Sequence, residues 1–397
     1  MAEFAAFAAE SIPGLAGEHL QIRDAVRSFI SSEIAPFVAQ WDEAQSIPRE
    51  LHQKAGAIGL LGLGYEANYG GTPADWRSRS LSTIEISRSG SGGISPALMS
   101  HTIMVWPLLA AASEAIKKTI LPSLFSGEKI GSLAITEANG GSDVARMQCA
   151  AKEVSGGWQL SGSKMYITSG TRADFILVAA RTGGPGASGI SLFLVDGLSK
   201  GLSRTALNKT GWWCSDTAAL YFDECFVPGD RMIGEVNKGF SLVMQNFNAE
   251  RFMMAVSCIG YAMVMCEEAL AWARERKTFG QPLVAHQVIR HKLVHMVETI
   301  CAARAWAFEI ANRLDKSVEV SKGADIATEA AQISMLKNHC GRLMRDIADT
   351  SIQILGGGGY MRGSASERLY REVKIMMIGG GAEEVMTELA AKQLGIM

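Results

Sequence analysis

The chain has 397 residues, 48% of them hydrophobic and 20% charged, which suits two or three domains with sizeable apolar cores. Its formal net charge of −2, without any lysine/arginine run, gives no electrostatic reason to expect nucleic acid or membrane insertion as a mode of action. The seven cysteines form no CxxC pair and are irregularly spaced, which points to free thiols in a reducing compartment and away from a disulfide framework or a metal site.

The opening stretch MAEFAAFAAESIPGL has no basic residue before Arg23, unlike a secretory signal or a mitochondrial presequence, so the expected location is cytoplasmic. Residues 1–130 read mostly as helices, with Ile22, Val26, Phe29 and Ile30 at helical spacing and Pro36, Pro48, Pro73 and Pro107 as punctuation. The pattern changes near 131. Over 131–235 the runs SLAIT, WQLSGSKMYIT, DFILVAAR, ISLFLVD and AALYFDECFVP alternate with glycine turns and predict a compact antiparallel β-domain. No helices separate these strands, so a doubly wound dinucleotide fold is not expected. Over 236–397 the only proline is Pro282, and helices are expected at 251–277, 284–314, 323–355 and 382–394. The run FMMAVSCIGYAMVMC at 252–266 is shorter than the roughly 20 apolar residues that span a bilayer and reads as a buried helix.

Taken singly, the motifs have bland explanations. GLGYEA at 62–67 fits a loose glycine fingerprint but runs into the helix-breaking NYGGTP. HKLVH at 291–295 puts two histidines on one helix face without the glutamate of a zinc motif. GGGGY at 356–360 exceeds what a helix C-cap needs, and suggests either a flexible turn or the close approach of a flat ligand. RKTFGQP at 276–282 is an ordinary helix stop. The small residues and amides of TEANGGSDV at 136–144 could wrap a ligand, and Glu137 and Asp143 could equally be solvated turn residues.

Their order is more informative. TEANGGSD at 136–143, YIT at 166–168, SDT at 215–217, RKTFG at 276–280, QILGG at 353–357 and the final GGGAEE at 379–384 together resemble the acyl-CoA dehydrogenase family over nearly the whole chain. The resemblance implies an α+β multidomain fold: a helical N-terminal domain, a central antiparallel β-barrel-like domain and a C-terminal four-helix bundle. It implies FAD lined by Leu133, Ile135, Thr136, Ser142, Tyr166, Ile167 and Thr168 of one subunit. Arg276, Phe279, Gln287, Gln353, Gly356 and Gly357 would reach the FAD of a neighbouring subunit, and the expected assembly is a homotetramer, a dimer of dimers. Tyr166 stands where the family usually has tryptophan, and Ala382 where it usually has threonine.

The family's reaction takes an α-proton to a carboxylate while the flavin accepts the β-hydride. Most members carry that carboxylate in the last loop, at the position occupied here by Gly380. A minority, including long-chain and isovaleryl-type enzymes, carry it on a helix of the C-terminal domain, directly before an arginine. NFNAER at 246–251 supplies Glu250 before Arg251. The resemblance therefore implies Glu250 as base, Gly380 as backbone N–H donor to the thioester oxygen, and Ser142 and Arg251 at the substrate. The two asparagines suggest a helix that breaks and restarts with Glu250 in its first turn. Glu383 and Glu384 are rival bases expected to begin a helix and point away.

Relatives that take dicarboxylyl thioesters place an arginine in the stretch corresponding to 89–99, which here contains none. The expected substrate is thus an apolar medium, long or branched acyl-CoA, with electron-transfer flavoprotein as acceptor. The alternatives are a sulfinyl-acyl-CoA desulfinase, a non-catalytic acyl-CoA or flavin-binding protein, and an oxidase.

Overall fold

A computed structural model of the chain describes residues 4–321 and 329–396, apart from the side chains of Gln245 and residues 317–321. The N-terminal part holds helices α1 (Gly17–Phe29), α2 (Val38–Ala44), α3 (Glu50–Ala57), α4 (Trp76–Ser87), α5 (Ile94–Met99), α6 (Thr102–Ala111) and α7 (Glu114–Phe125). Side-chain caps set two of their starts: Asp75 accepts from the Ser78 N–H at α4, and Ser113 from the Ile116 N–H at α7. Pro107, expected to punctuate, lies inside α6. A proline there deprives the carbonyl four residues back of its donor. That carbonyl, Ile103, is supplied instead by the Asn246 side-chain amide at 2.7 Å.

The central sheet comprises β1 (Gly131–Ala134), β2 (Ala150–Val154), β3 (Gly157–Thr168), β4 (Phe175–Arg181), β5 (Ile190–Asp196), β6 (Leu202–Ala206), β7 (Thr217–Pro228) and β8 (Met232–Ile233). The strand order is β6-β7-β3-β2-β4-β5-β8, with β1 parallel to β4. Apart from that pair and one parallel contact between β2 and β4, the ladders are antiparallel. Strands β4 and β5 are buried on both faces, which is why they read as unbroken apolar runs. Ile176, Val178 and Phe193 face the inner core with Leu160, Leu220 and Phe222, whereas Leu177, Ala179 and Leu192 face the helices.

The C-terminal part holds α8 (Gly239–Glu275), the hairpin β9 (Lys277–Thr278) and β10 (Gln281–Pro282), α9 (Gln287–Ser321), α10 (Ala330–Leu355), α11 (Ala365–Ile378) and α12 (Glu383–Gln393). Helix α8 and the window Ile94–Ala111 are apolar enough by composition to cross a bilayer, but 78% of the α8 window is buried within the fold. It packs with α9, α10 and α11 around Phe252, Ile259, Ile300, Leu336, Met344 and Met376. It also closes onto α4 at Gly260, where a Cβ would lie 2.6 Å from the Ser87 Cβ.

Two expectations change, and a third falls partly outside the described residues. Helix α11 was not foreseen in its own right. The first residues of the helix expected at 323 lie outside the described residues. And α8 does not break at the asparagines: Asn246 serves Ile103 and Asn248 accepts from Arg251, so neither side chain competes for the local backbone.

Candidate active site

Glu250 sits well inside α8, so its carboxylate is carried by a continuous helix. Residues 246, 249, 250, 253, 254 and 257 of that helix line one side of a cavity of about 780 Å³. Thr168, at the end of β3, lines the same cavity, together with Thr83 and Ile86 of α4 and Met99 and Ile103 of α5 and α6. None of the described residues hydrogen-bonds the Glu250 carboxylate. Loss of solvent raises its pKa from the ordinary carboxylate range, and the nearby cations Arg251 and Lys337 oppose that shift.

The glycine loop 379–381 connects α11 to α12 beside this helix. Gly380 and Gly381 have φ of 65° and 121°, conformations that favour glycine. A Cβ on Gly380 would also stand 2.8 Å from the Met254 sulfur. Two cations grip the loop's carbonyls. Arg251 donates its Nε–H to Gly380 O, and the Lys337 ammonium donates to Gly381 O. Because peptides are planar and trans, these bonds fix the two peptide planes that follow Gly380. The Gly380 N–H meets no acceptor among the described residues. Arg251, 9% exposed, also donates to the Asn248 side-chain oxygen and lies over the Phe247 ring. Lys337 is 1% exposed, and burial pulls its pKa down to about 8.

The rival carboxylates are occupied or turned away. Glu383 pairs with Arg342 at 2.9 Å, and Glu384 is exposed at the start of α12. Glu137 is not a solvated turn residue. It is 5% exposed and accepts from the Gln148 and Cys149 N–H groups and from the buried Lys164. The histidines of HKLVH are exposed, and no cluster of metal-ligating side chains occurs among the described residues.

The remaining residues fall into two groups. Thr136 and the 166–168 segment meet where the Met165 N–H donates to Thr136 O at 2.8 Å. The side chains of Leu133, Ile135 and Ile167 are buried in the cores, so these residues can offer a ligand only backbone, and the Ile135 carbonyl already accepts from Lys164. Ser142 is exposed in the adjoining loop. Elsewhere, Arg276, Phe279, Gln287, Gln353, Gly356 and Gly357 are all exposed. The Trp272 indole, 3.4 Å from where a Gly358 Cβ would stand, joins the two segments that carry them.

Family profiles of the acyl-CoA dehydrogenase N-terminal, middle and C-terminal domains match residues 16–128, 132–225 and 237–395. The chain belongs to the acyl-CoA dehydrogenase family. It is 34% identical to the mitochondrial long-chain specific acyl-CoA dehydrogenase of Sus scrofa, over 95% of this chain and 86% of that one. It is 32% identical to the mitochondrial isovaleryl-CoA dehydrogenase of Oryza sativa subsp. japonica, over 94% and 90%. Among solved structures, a probable acyl-CoA dehydrogenase of Mycobacterium abscessus superposes with a TM-score of 0.91 at 39% identity, covering 96% of this chain and 99% of that one. Butyryl-CoA dehydrogenase of Megasphaera elsdenii gives 0.89 at 27% identity, covering 96% and 98%.

An acyl-CoA dehydrogenase is an FAD-dependent oxidoreductase, and a structural neighbour from Mycobacterium smegmatis is in complex with FADH2. The surface here fits such a group. Tyr166 and Phe279 are 66% and 97% exposed yet hold φ of 63° and 50°. Left-handed backbone at a bulky residue is strained, and a bare aromatic face is an unmet contact, so both features suit a flat ligand. Gly356 and Gly357 have open space where a Cβ would stand, as close approach of a pyrophosphate requires.

Sequence reasoning missed Lys337 and Asn246. Lys337 was findable as a lone lysine on the apolar face Ile333, Leu336, Cys340, Met344 of α10. Asn246 required knowing that α6 continues through Pro107.

Proposed function

We propose that this chain dehydrogenates a medium, long or branched acyl-CoA to the trans-2-enoyl-CoA with Glu250 as the base. The observation that supports the reading is that Glu250 and Thr168 line one cavity, while Gly380, which carries no carboxylate, stands against Arg251 and Met254 of the same helix. FAD, when bound, accepts the hydride. The Glu250 carboxylate takes the α-proton, and its desolvation makes it a stronger base toward that weak acid. The Gly380 N–H donates to the thioester oxygen as negative charge gathers there, an interaction worth roughly 3–4 kcal/mol in comparable oxyanion sites. Arg251 is a positioning residue that reaches the substrate through the loop it holds, with Ser142 contacting the thioester arm from the other side. The wall formed by Ile86, Met99, Ile103, Met253 and Met254 excludes water and suits a hydrocarbon tail.

The Thr136, Tyr166 and Thr168 segment would hold FAD from its own subunit, and Arg276, Phe279, Gln287, Gln353, Gly356 and Gly357 that of a neighbour. That sharing supports a homotetramer. Electron-transfer flavoprotein is the acceptor in this reading. The seven free cysteines, six of them buried, accord with a cytoplasmic setting.

Anaerobic titration with short, long, branched and dicarboxylyl acyl-CoAs tests the proposal, with Glu250→Gln run in parallel. Flavin bleaching that vanishes in the FAD-loaded variant supports it. Unchanged bleaching in Glu250→Gln, or none in the parent protein, sinks it.

A further inference from the structure

The cavity that holds Glu250 extends to a second polar region. Arg79, Ser82, Thr83 and Ile86 of α4 line it, with Gly64, Tyr65 and Trp76 around Arg79. Thr83, one helical turn after Arg79, has its hydroxyl 3.3 Å from the Met253 sulfur, and Met253 lies one turn after Glu250. The wall between is the apolar one described above.

Arg79 is held firmly but not neutralised. Its guanidinium lies 4.2 Å over the Trp76 ring and 5.6 Å from the centre of the Tyr65 ring. Its stem covers Gly64, where a Cβ would come within 2.5 Å of the Arg79 Cδ. The guanidinium makes no hydrogen bond or ion pair with any described residue. The carboxylates on the same wall serve others. Asp75 accepts from the Ser78 N–H and from His19 and Arg77, and Asp315 accepts from the Trp76 N–H and from Arg77. Glu18 is exposed and makes no bond to Arg79.

We propose that Arg79 seats an anionic group at the far end of the acyl tail, so that the preferred substrates are ω-carboxyl acyl-CoAs, the mono-thioesters of dicarboxylic acids. This rests on the dehydrogenation reading above. A guanidinium remains charged at any working pH and presents a planar fork that matches a carboxylate. The Trp76 ring lies against the guanidinium, whose N–H groups meet no acceptor among the described residues. A methyl-ended chain long enough to reach Arg79 strips water from an unpaired cation, whereas a carboxylate replaces that water. Without an arginine in 89–99, sequence reasoning expected a wholly apolar tail; the cation arrives from the preceding helix instead.

The test uses FAD-loaded protein and pairs of straight-chain acyl-CoAs of equal length, one methyl-ended and one ω-carboxyl, stepped through increasing length. At the length that bridges the cavity, kcat/KM should favour the ω-carboxyl partner tenfold or more. Arg79→Leu and Arg79→Gln should each lower that ratio at least tenfold, chiefly through KM, and retained flavin absorbance shows that a variant is folded. A parent ratio at or below one at every length, with methyl-ended chains turned over, overturns the assignment. So does a ratio that neither variant changes. Failure to oxidise any acyl-CoA defeats the dehydrogenation reading instead. Direct binding then decides Arg79: a Kd for the bridging ω-carboxyl thioester that rises tenfold in both variants upholds it, and an unchanged Kd refutes it.

Discussion

Arg251 donates its Nε–H to the Gly380 carbonyl at 2.8 Å. The residue next to the proposed base on α8 therefore holds the loop that would polarise the substrate, and proton acceptor and oxyanion donor are tied through one side chain. Replacing Glu250 with Gln removes the proton acceptor alone and should lower kcat about 10²–10⁴-fold with FAD retained. Arg251→Lys keeps the charge but loses the directed Nε–H, and should lower kcat by a smaller factor, about tenfold, measured in the same steady-state assay.

The pH profile follows from the same cluster. A general base works ionised, so kcat/KM should rise with pH through the raised pKa of Glu250, above the ordinary carboxylate value of about 4.3. Lys337 pulls that pKa down. Lys337→Met should therefore move the acid limb to higher pH. A limb that stays in place or moves down would show that the ammonium does not act on the base.

Gly380→Ala tests the loop. The substitution meets both a φ of 65° and a 2.8 Å contact with the Met254 sulfur. Chemical denaturation should show a loss of about 1–2 kcal/mol from the backbone alone. Adding Met254→Ala relieves the contact but not the backbone, so the double variant should recover only part of the lost activity.

Many of these features were legible in the chain and some were not. The strands β4 and β5 announced themselves because burial on both faces makes FILVAA and ISLFLV continuously apolar. The helix break expected at Asn246 and Asn248 failed for a tertiary reason: their amides are engaged by Ile103 and Arg251, which local sequence does not reveal. Glu250 was singled out through its neighbour Arg251 and the bare Gly380, and it lines the cavity. Arg79 was passed over because a charged residue early in a helix normally faces water, and its contacts with Tyr65 and Trp76 at the cavity are not legible in the sequence.

Two buried histidines should make the fold acid-sensitive. His101 and His52 are buried and donate to the Leu61 and Ala97 carbonyls, and burial lowers their pKa values to about 4 and about 3. Both lie below the unfolded value of about 6.5, so the full contribution is present above that pH and is lost as pH falls toward the folded values. His101 alone should account for about 2 kcal/mol at pH 5. Thermal melts between pH 7 and 4.5 should show a falling Tm whose slope is reduced in His101→Gln.

Phe279→Ser should weaken FAD retention more than it weakens the chain. The ring is 97% exposed and contributes little to this chain's own core. Gel filtration at decreasing protein concentration should show flavin released earlier from the variant, with its far-UV circular dichroism unchanged.

The position of Glu250 within α8 has a consequence for how the protein ages in use. In the proposed reading, the reactive carboxylate rides on a helix whose unfolding requires the whole C-terminal core to open, whereas the glycine loop can fray locally. Partial damage to that loop, by mild heat or a nick near 380, would then leave a protein that keeps its base but has lost the donor to the thioester oxygen, so exchange of the substrate's α-proton and its oxidation would slow together. Deuterium loss from labelled thioester falling in step with enoyl product, while the far-UV circular dichroism of the helices persists, would mark such worn molecules.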